Sequence, residues 1–273
     1  AILGGTIAGG IIPGKIAGVG IIIVAIIGRV TAQSVPLAPP ESDAPTAKMD
    51  WNIFRSSWRL VRDTMHIPRL FLAIMAISFF WGVGAVLGSI FPPMVKNAIG
   101  GDNTVATLFT AFFSIGIAIG SVAVNRMLNG TVSAKYAPIS VIIMGLFVLD
   151  LWWTVSHWQP TGPELMDWWQ FLMLGYGERM IVDLLGISIA GGMFVVPLYA
   201  FLTTTVAKSQ TARTIAANNI VNSGAMVIGA VIYSLLVSAG VSIADTLFMI
   251  AAACLVSAWI SWKLHKACDP VAA

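Results

Sequence analysis

Three asparagines, Asn218, Asn219 and Asn222, lie close together in one apolar stretch. Asn218 and Asn222 are i and i+4, and Asn219 and Asn222 are i and i+3, so the pairs meet on a helix surface. Amides inside a membrane must find partners within the protein. These three suit a phosphate or glycerol head group. They equally suit helix-to-helix glue, at about 0.6 kcal/mol per interhelical bond. Asp150, in the run Phe147-Val148-Leu149-Asp150-Leu151, is a rare charge in apolar surroundings. Such a charge costs ~2.5–3.5 kcal/mol at a span centre, so it marks a functional candidate. It would take a proton, a cation or an amine head group, or it reaches the interface beside Trp152 and Trp153.

Glu178, Arg179 and Asp183 open the next helix. Glu178 or Arg179 can pair with Asp183 at helical spacing, and acids suit a helix N-terminus. The group reads as a structural pair at the outer rim or as an extracellular gate. Arg126, followed by Asn129, closes a helix that carries Gly116 and Gly120, and Arg213 follows Thr211. Both arginines read as gate residues or as simple cytoplasmic positive charge. Ser78 and Trp81 line a cavity or pack in the core.

Enzyme signatures are absent. His66, His157 and His265 have no HExxH context, and there is no P-loop. No GxSxG elbow occurs. No histidine has an aspartate five residues on, the pattern a phospholipid acyltransferase needs. Cys254 and Cys268 fall in one helical run, about 21 Å apart at 1.5 Å per residue. That is beyond disulfide reach. Free thiols are expected, with no metal, no cofactor and no nucleic acid.

Composition sets the medium. Of 273 residues, 58% are hydrophobic and 10% charged, with net charge +3 and mean hydropathy +0.88. A soluble domain holds about 25% charged residues. An all-α membrane protein is expected. The apolar runs are continuous and do not alternate, which excludes a β-barrel.

Residues 1–12 read as the end of one span, Pro13-Gly14 as a turn, and 15–30 as a second span. Residues 31–68 are a polar loop. Runs at 69–91, 104–125, 137–157, 178–202, 212–238 and 242–263 predict six more spans. Within the loop, Trp51, Phe54, Trp58 and Val61 share a helical face, with Arg55, Arg59 and Arg62 read as the other face. This predicts a helix lying on an anionic leaflet or capping the underside of the bundle. Gly84 with Gly88, and Gly116 with Gly120, are GxxxG pairs that predict close helix packing. Ala1 lies inside an apolar run with no charged stretch before it, so no signal peptide is expected and the chain reads as part of a longer protein.

Of the 15 Lys and Arg residues, all but Lys15, Lys96 and Arg179 fall on one side of the alternating spans. That side is expected to be cytoplasmic, with the long loop and the C-terminus. Two spans, a basic cytoplasmic loop and six further spans resemble part of a twelve-span major facilitator transporter. Residues 1–30 would close its N-terminal half as spans five and six. Residues 31–68 would be the central loop, 69–266 the C-terminal six-helix bundle, and 267–273 a cytoplasmic tail. Such a half is expected to hold two inverted three-helix repeats.

Several segments carry a closer resemblance. They are Gly191-Gly192-Met193-Phe194-Val195-Val196-Pro197-Leu198-Tyr199-Ala200, Arg213-Thr214-Ile215-Ala216-Ala217-Asn218-Asn219-Ile220-Val221-Asn222, Phe71 to Trp81, Gly100-Gly101-Asp102, and Phe147 to Leu151. The loop from Trp51-Asn52 to Trp58-Arg59 fits as well. Together they resemble the lysophospholipid transporter family of the major facilitator superfamily, over nearly the whole chain, and Ala-Ala-Asn-Asn-Ile is the most specific part.

The resemblance implies a flippase for lysophospholipids, notably lysophosphatidylethanolamine. It would move them across the bacterial inner membrane to the cytoplasmic leaflet, where an acyltransferase restores the second chain. A compatible physical reading has Asp150, Asn218, Asn219 and Asn222 handle the head group, with Tyr199 and Trp81 as further substrate-binding candidates. In such a transporter the gate candidates are Arg126, Arg213, Glu178, Arg179 and Asp183. The implied partners are an upstream N-terminal half, membrane lipids, and a phospholipid acyltransferase with acyl-carrier-protein synthetase. The family's Gly-and-Arg gating motif is degenerate around Arg126. Two other readings stay open: an exporter of a drug or small solute, and a membrane anchor for a fused acyltransferase.

Overall fold

The computed structural model describes residues 14–35, 51–159, 162 and 164–268. The span expected over 1–12, the prolines of 36–45 and the tail from residue 269 lie outside them. The described residues are almost entirely helical. Helix α1 (Gly14–Gln33) is apolar, starts at Gly14 where a turn was expected, and runs past residue 30. Its isoleucine and valine side chains are exposed.

Helix α2 (Ile53–Met65) is capped by Asn52, whose side chain accepts the Arg55 N–H at 3.0 Å. Two residues later Pro68 opens α3 (Pro68–Pro93). Proline fits there because the first-turn N–H has no intrahelical partner. Pro92 and Pro93 remove donors near its end, and the helix widens into a π turn, Met94–Ile99, closed by Gly100 at φ 78°. Then come α4 (Asn103–Met127), α5 (Ala137–His157), the short α6 (Trp168–Leu172), α7 (Gly175–Thr204), α8 (Lys208–Ser238) and α9 (Ile243–Cys268). Six of these, α3 with its π turn, α4, α5, α7, α8 and α9, are long and apolar enough to cross a membrane. Their bounds follow the predicted apolar runs closely. The protein is an all-α, multi-pass membrane protein.

The six spans divide in sequence into two trios, α3–α5 and α7–α9, that interlock, with the main helix contacts running between the trios. Helix α3 lies against α8 and α4 against α7, so the first helix of each trio meets the second helix of the other. The third helices, α5 and α9, pack on each other. Three crossings separate the trios, which inverts the second relative to the first. Inverted repeats would pair helices in this order.

Small residues permit the close crossings, since lipid supplies no hydrophobic drive between spans. A Cβ on Gly116 would collide with the Ser188 side chain, and one on Gly120 with the Ile189 carbonyl. A Cβ on Gly192 would sit 2.6 Å from the Ile117 carbonyl oxygen. The Gly116/Gly120 pair therefore does bring α4 against α7. The other pair does not behave as expected: nothing lies within 4 Å of a Cβ at Gly84 or Gly88. The close crossing on α3 is made instead by Gly82, which meets Ala225 and Gly229 of α8.

The end opposite α2 is closed by a polar and aromatic cap. Asp102 caps α4 through the Thr104 N–H at 2.8 Å. The Met166 N–H donates to the Gly100 carbonyl and the Asp102 N–H to the Met166 carbonyl, both at 2.8 Å. The Trp158 indole donates to the Ile99 carbonyl at 2.8 Å. Asp167 and Gln170 form a capping box on α6. Trp153, Trp168, Trp169 and Tyr176 are exposed at this end, and Trp259 and Trp262 near the other, as interfacial aromatic belts require.

Candidate functional site

Four side chains from three spans meet in one polar network. Ser78 and Trp81 are three residues apart on α3, so they share a face. Tyr199 comes from α7, two residues beyond Pro197, and Asn222 from α8. The Ser78 hydroxyl donates to Asn222 Oδ1 at 2.7 Å. Asn222 Nδ2 donates to the Tyr199 hydroxyl at 3.2 Å. The Trp81 indole N–H donates to the same hydroxyl at 2.7 Å. The Tyr199 oxygen thus accepts two bonds and keeps its own proton available to donate. Ser78 and Asn222 are buried and Trp81 is partly exposed, so the network runs from the bundle interior to its surface.

Helix α8 presents Thr214, Ala217, Asn218 and Asn222 as its buried positions, which is helical spacing. The three asparagines therefore part company. Asn222 joins the network, Asn218 is fully buried, and Asn219 points outward. Neither amide atom of Asn218 has a hydrogen-bond partner among the described residues. A buried polar group left unpaired costs about 1–3 kcal/mol, which makes Asn218 a candidate contact residue.

An apolar cavity of about 600 Å³ lies between α3, α8 and α9. Met75, Phe79, Val83, Ala225, Ile228 and Met249 are among its walls, and among the described residues Ser78, Tyr233 and Thr246 supply its polar side chains. Ser78 belongs to both the cavity wall and the network. Trp81 lines a second, smaller cavity of about 270 Å³ with Phe80, Gly84, Phe113 and Met144. Its role is therefore at a cavity edge, not in the core.

The acidic candidates form a separate group. Arg179 does not pair with Asp183, as helical spacing had suggested. Its Nε donates to Asp150 Oδ2 at 3.0 Å and its Nη2 to Asp150 Oδ1, a two-pronged clamp between α7 and α5. Asp183, one turn further along α7, is 1% exposed, and its Oδ2 has no partner among the described residues. Glu178 is exposed. Asp150 is thus held by Arg179, on a helix that packs against α7 and α9, and takes no part in the network around Asn222.

The two cytoplasmic-gate candidates also lie apart. Arg126 is exposed in the last turn of α4, before a turn through Asn129 at φ 49° and Gly130 at φ 74°. Arg213 lines a polar cleft of about 260 Å³ with Asp63, Thr64, Gln210 and Thr214, where α2, α3 and α8 meet. The link from Ser78 to Asn222 spans 144 residues of sequence, and no local spacing signals it.

The fold and this polar network in an apolar bundle define a multi-pass membrane protein with a cavity that is apolar on most walls and polar at one. No protein-family profile matches the chain. It is similar to the lysophospholipid transporter LplT of Enterobacter sp. (strain 638), at 28% identity over 251 residues, covering 89% of this chain and 57% of that protein. It is similar to LplT of Escherichia fergusonii at 27% identity over 278 residues, covering 97% and 63%, and to LplT of Escherichia coli O9:H4 at 28% with the same coverage. The chain is LplT-like in sequence, and it spans roughly three fifths of the length of these curated relatives.

Proposed function

We propose that the chain is the C-terminal six-helix half, with the last helices of the N-terminal half, of a major facilitator transporter for lysophospholipids. The substrate class is lysophosphatidylethanolamine, carried across the bacterial inner membrane to the cytoplasmic leaflet for reacylation. One observation carries the reading: at Ser78 the apolar cavity of about 600 Å³ meets the hydrogen-bonded set of Asn222, Tyr199 and Trp81. A lysophospholipid has one acyl chain and one polar head. The chain lies along the apolar walls. The head group takes the Tyr199 proton and the unpaired amide of Asn218, with Asn219 facing the upstream half.

An upstream N-terminal half completes the cavity, and rocking of the halves alternates access. Asp150 with Arg179, and Asp183 beside them, serve the extracellular gate; Arg126 and Arg213 serve the cytoplasmic one. A phospholipid acyltransferase with acyl-carrier-protein synthetase is the downstream partner. The names of the relatives support this reading, as does the scarcity of charge in the cavity, which disfavours a hydrophilic solute.

Native mass spectrometry of the protein, with its upstream half co-expressed, tests the substrate class. One-chain phosphatidylethanolamine is expected to be retained and displaced by its own excess, with two-chain phosphatidylethanolamine competing weakly. Equal competition by the two lipids would contradict the reading.

A further inference from the structure

Helix α2 has three sectors. Ser56, Ser57, Leu60, Val61, Thr64 and Met65 are its more covered positions, so Val61 does not share the exposure of the aromatics that spacing groups it with, and the helix packs against α8 and α3. Phe54 and Trp58 point away, 89% and 71% exposed, and Trp51, just before the helix, is 85% exposed. At 3.6 residues per turn, Arg55, Arg59 and Arg62 fall beside this aromatic sector and not opposite it, as a two-faced reading had it. A helix that merely capped the bundle would turn its aromatics inward.

We propose that α2 is a membrane-surface helix that binds the anionic phospholipids of the leaflet at which α3 begins. Three arguments carry this, all independent of what is transported. First, only His66 and Ile67 separate α2 from the span beginning at Pro68. At no more than ~3.6 Å per residue, α2 stays at the membrane boundary. Second, large exposed aromatics in a contiguous patch need an apolar partner. Tryptophan and phenylalanine settle into the head-group and acyl boundary when a helix lies flat on a bilayer.

Third, the charges are complementary to an anionic surface. Helix α2 holds three arginines and one acid, Asp63, which meets Arg62 at 3.2 Å. With the exposed aromatics seated in that boundary, the arginine stripe beside them sits at phosphate depth, where guanidinium forms paired bonds to phosphate oxygens. Six crossings bring the end of α9 to the same side as the start of α3. There Lys263 lies 3.6 Å over the Trp259 ring and Lys266 4.0 Å over Trp262. These are cations stacked on interfacial tryptophans, at the same membrane surface.

Hydrogen exchange of the segment 51–65 tests this in the full chain reconstituted into nanodiscs. Discs of phosphatidylcholine alone are compared with discs that also contain phosphatidylglycerol. Exchange in this segment is expected to slow several-fold with phosphatidylglycerol, and the effect to vanish in the R55Q/R59Q/R62Q variant, with α7 exchanging normally in both. The wild-type comparison stands without the variant. Equal, slow exchange in the two membranes would overturn the anionic preference. Equal, fast exchange would overturn membrane docking, and leave the aromatic face to another protein.

Discussion

Ser78 donates its hydroxyl proton to Asn222 Oδ1 at 2.7 Å and also forms part of the wall of the apolar cavity between α3, α8 and α9. One small side chain thus joins the two environments that a single-chain lipid requires. The bond ties α3, the first helix of one trio, to α8, the second of the other.

Tyr199→Phe removes an acceptor of two bonds and the one spare donor while keeping the ring. Interhelical bonds of this kind are worth about 0.6 kcal/mol each, so thermal stability should drop only slightly. A bond to a charged head-group oxygen is worth about 1.5–3 kcal/mol, so the apparent affinity for lysophosphatidylethanolamine should fall roughly 10- to 100-fold. Titration of a labelled lysolipid checks this. Unchanged affinity removes Tyr199 from the site.

Asn218 and Asn219 should behave differently although they are neighbours. Asn218→Leu replaces an unpaired buried amide with an apolar side chain of similar size. It should leave stability unchanged or raise it by up to ~1–3 kcal/mol, while transport is lost. Asn219→Ala changes an exposed residue and should be near neutral for stability. Thermal melts in detergent, alongside transport assays, separate the two. A destabilised Asn218→Leu protein would mean that the amide is paired.

The two GxxxG pairs should split. Gly120→Val places a side chain against the Ile189 carbonyl and should cost about 1–3 kcal/mol or more, as overpacking does. Gly84→Ala meets open space and should gain up to about 1 kcal/mol from helix propensity. Equal effects on the melting temperature would contradict the crossing of α4 on α7.

Asp150 and Arg179 should show a coupling in a double-mutant cycle. Both side chains are about two-fifths exposed, so the coupling in stability should be modest, about 0.2–1 kcal/mol. Asp150→Asn and Arg179→Gln, singly and together, measure it. Coupling between Arg179 and Asp183 that exceeds it would restore the within-helix pairing.

The spans were legible because each is a continuous apolar run bounded by polar or turn residues. Asn103 to Met127, for example, extends the run over 104–125 by only a turn's fraction at each end. The candidate site was legible in its members but not in its wiring. Spacing along one helix suggests Asp183 for Arg179, whereas the partner taken is Asp150, 29 residues away on another helix. The GxxxG spacing marks a smooth strip on both α3 and α4, but which strip is used depends on what packs there. The asparagine triplet reads as one cluster, yet a helix turns by more than a quarter circle per residue. That turn sends Asn219 outward while Asn218 and Asn222 face the bundle.

The central claim is that this protein moves a one-chain phospholipid. The direct measurement is transbilayer movement of labelled lysophosphatidylethanolamine in proteoliposomes holding the chain with its upstream half. The account predicts movement well above protein-free vesicles, lost in Asn222→Ala and Tyr199→Phe, with both variants folded by circular dichroism. Movement no faster than in protein-free vesicles, with the folded complex present, would contradict it.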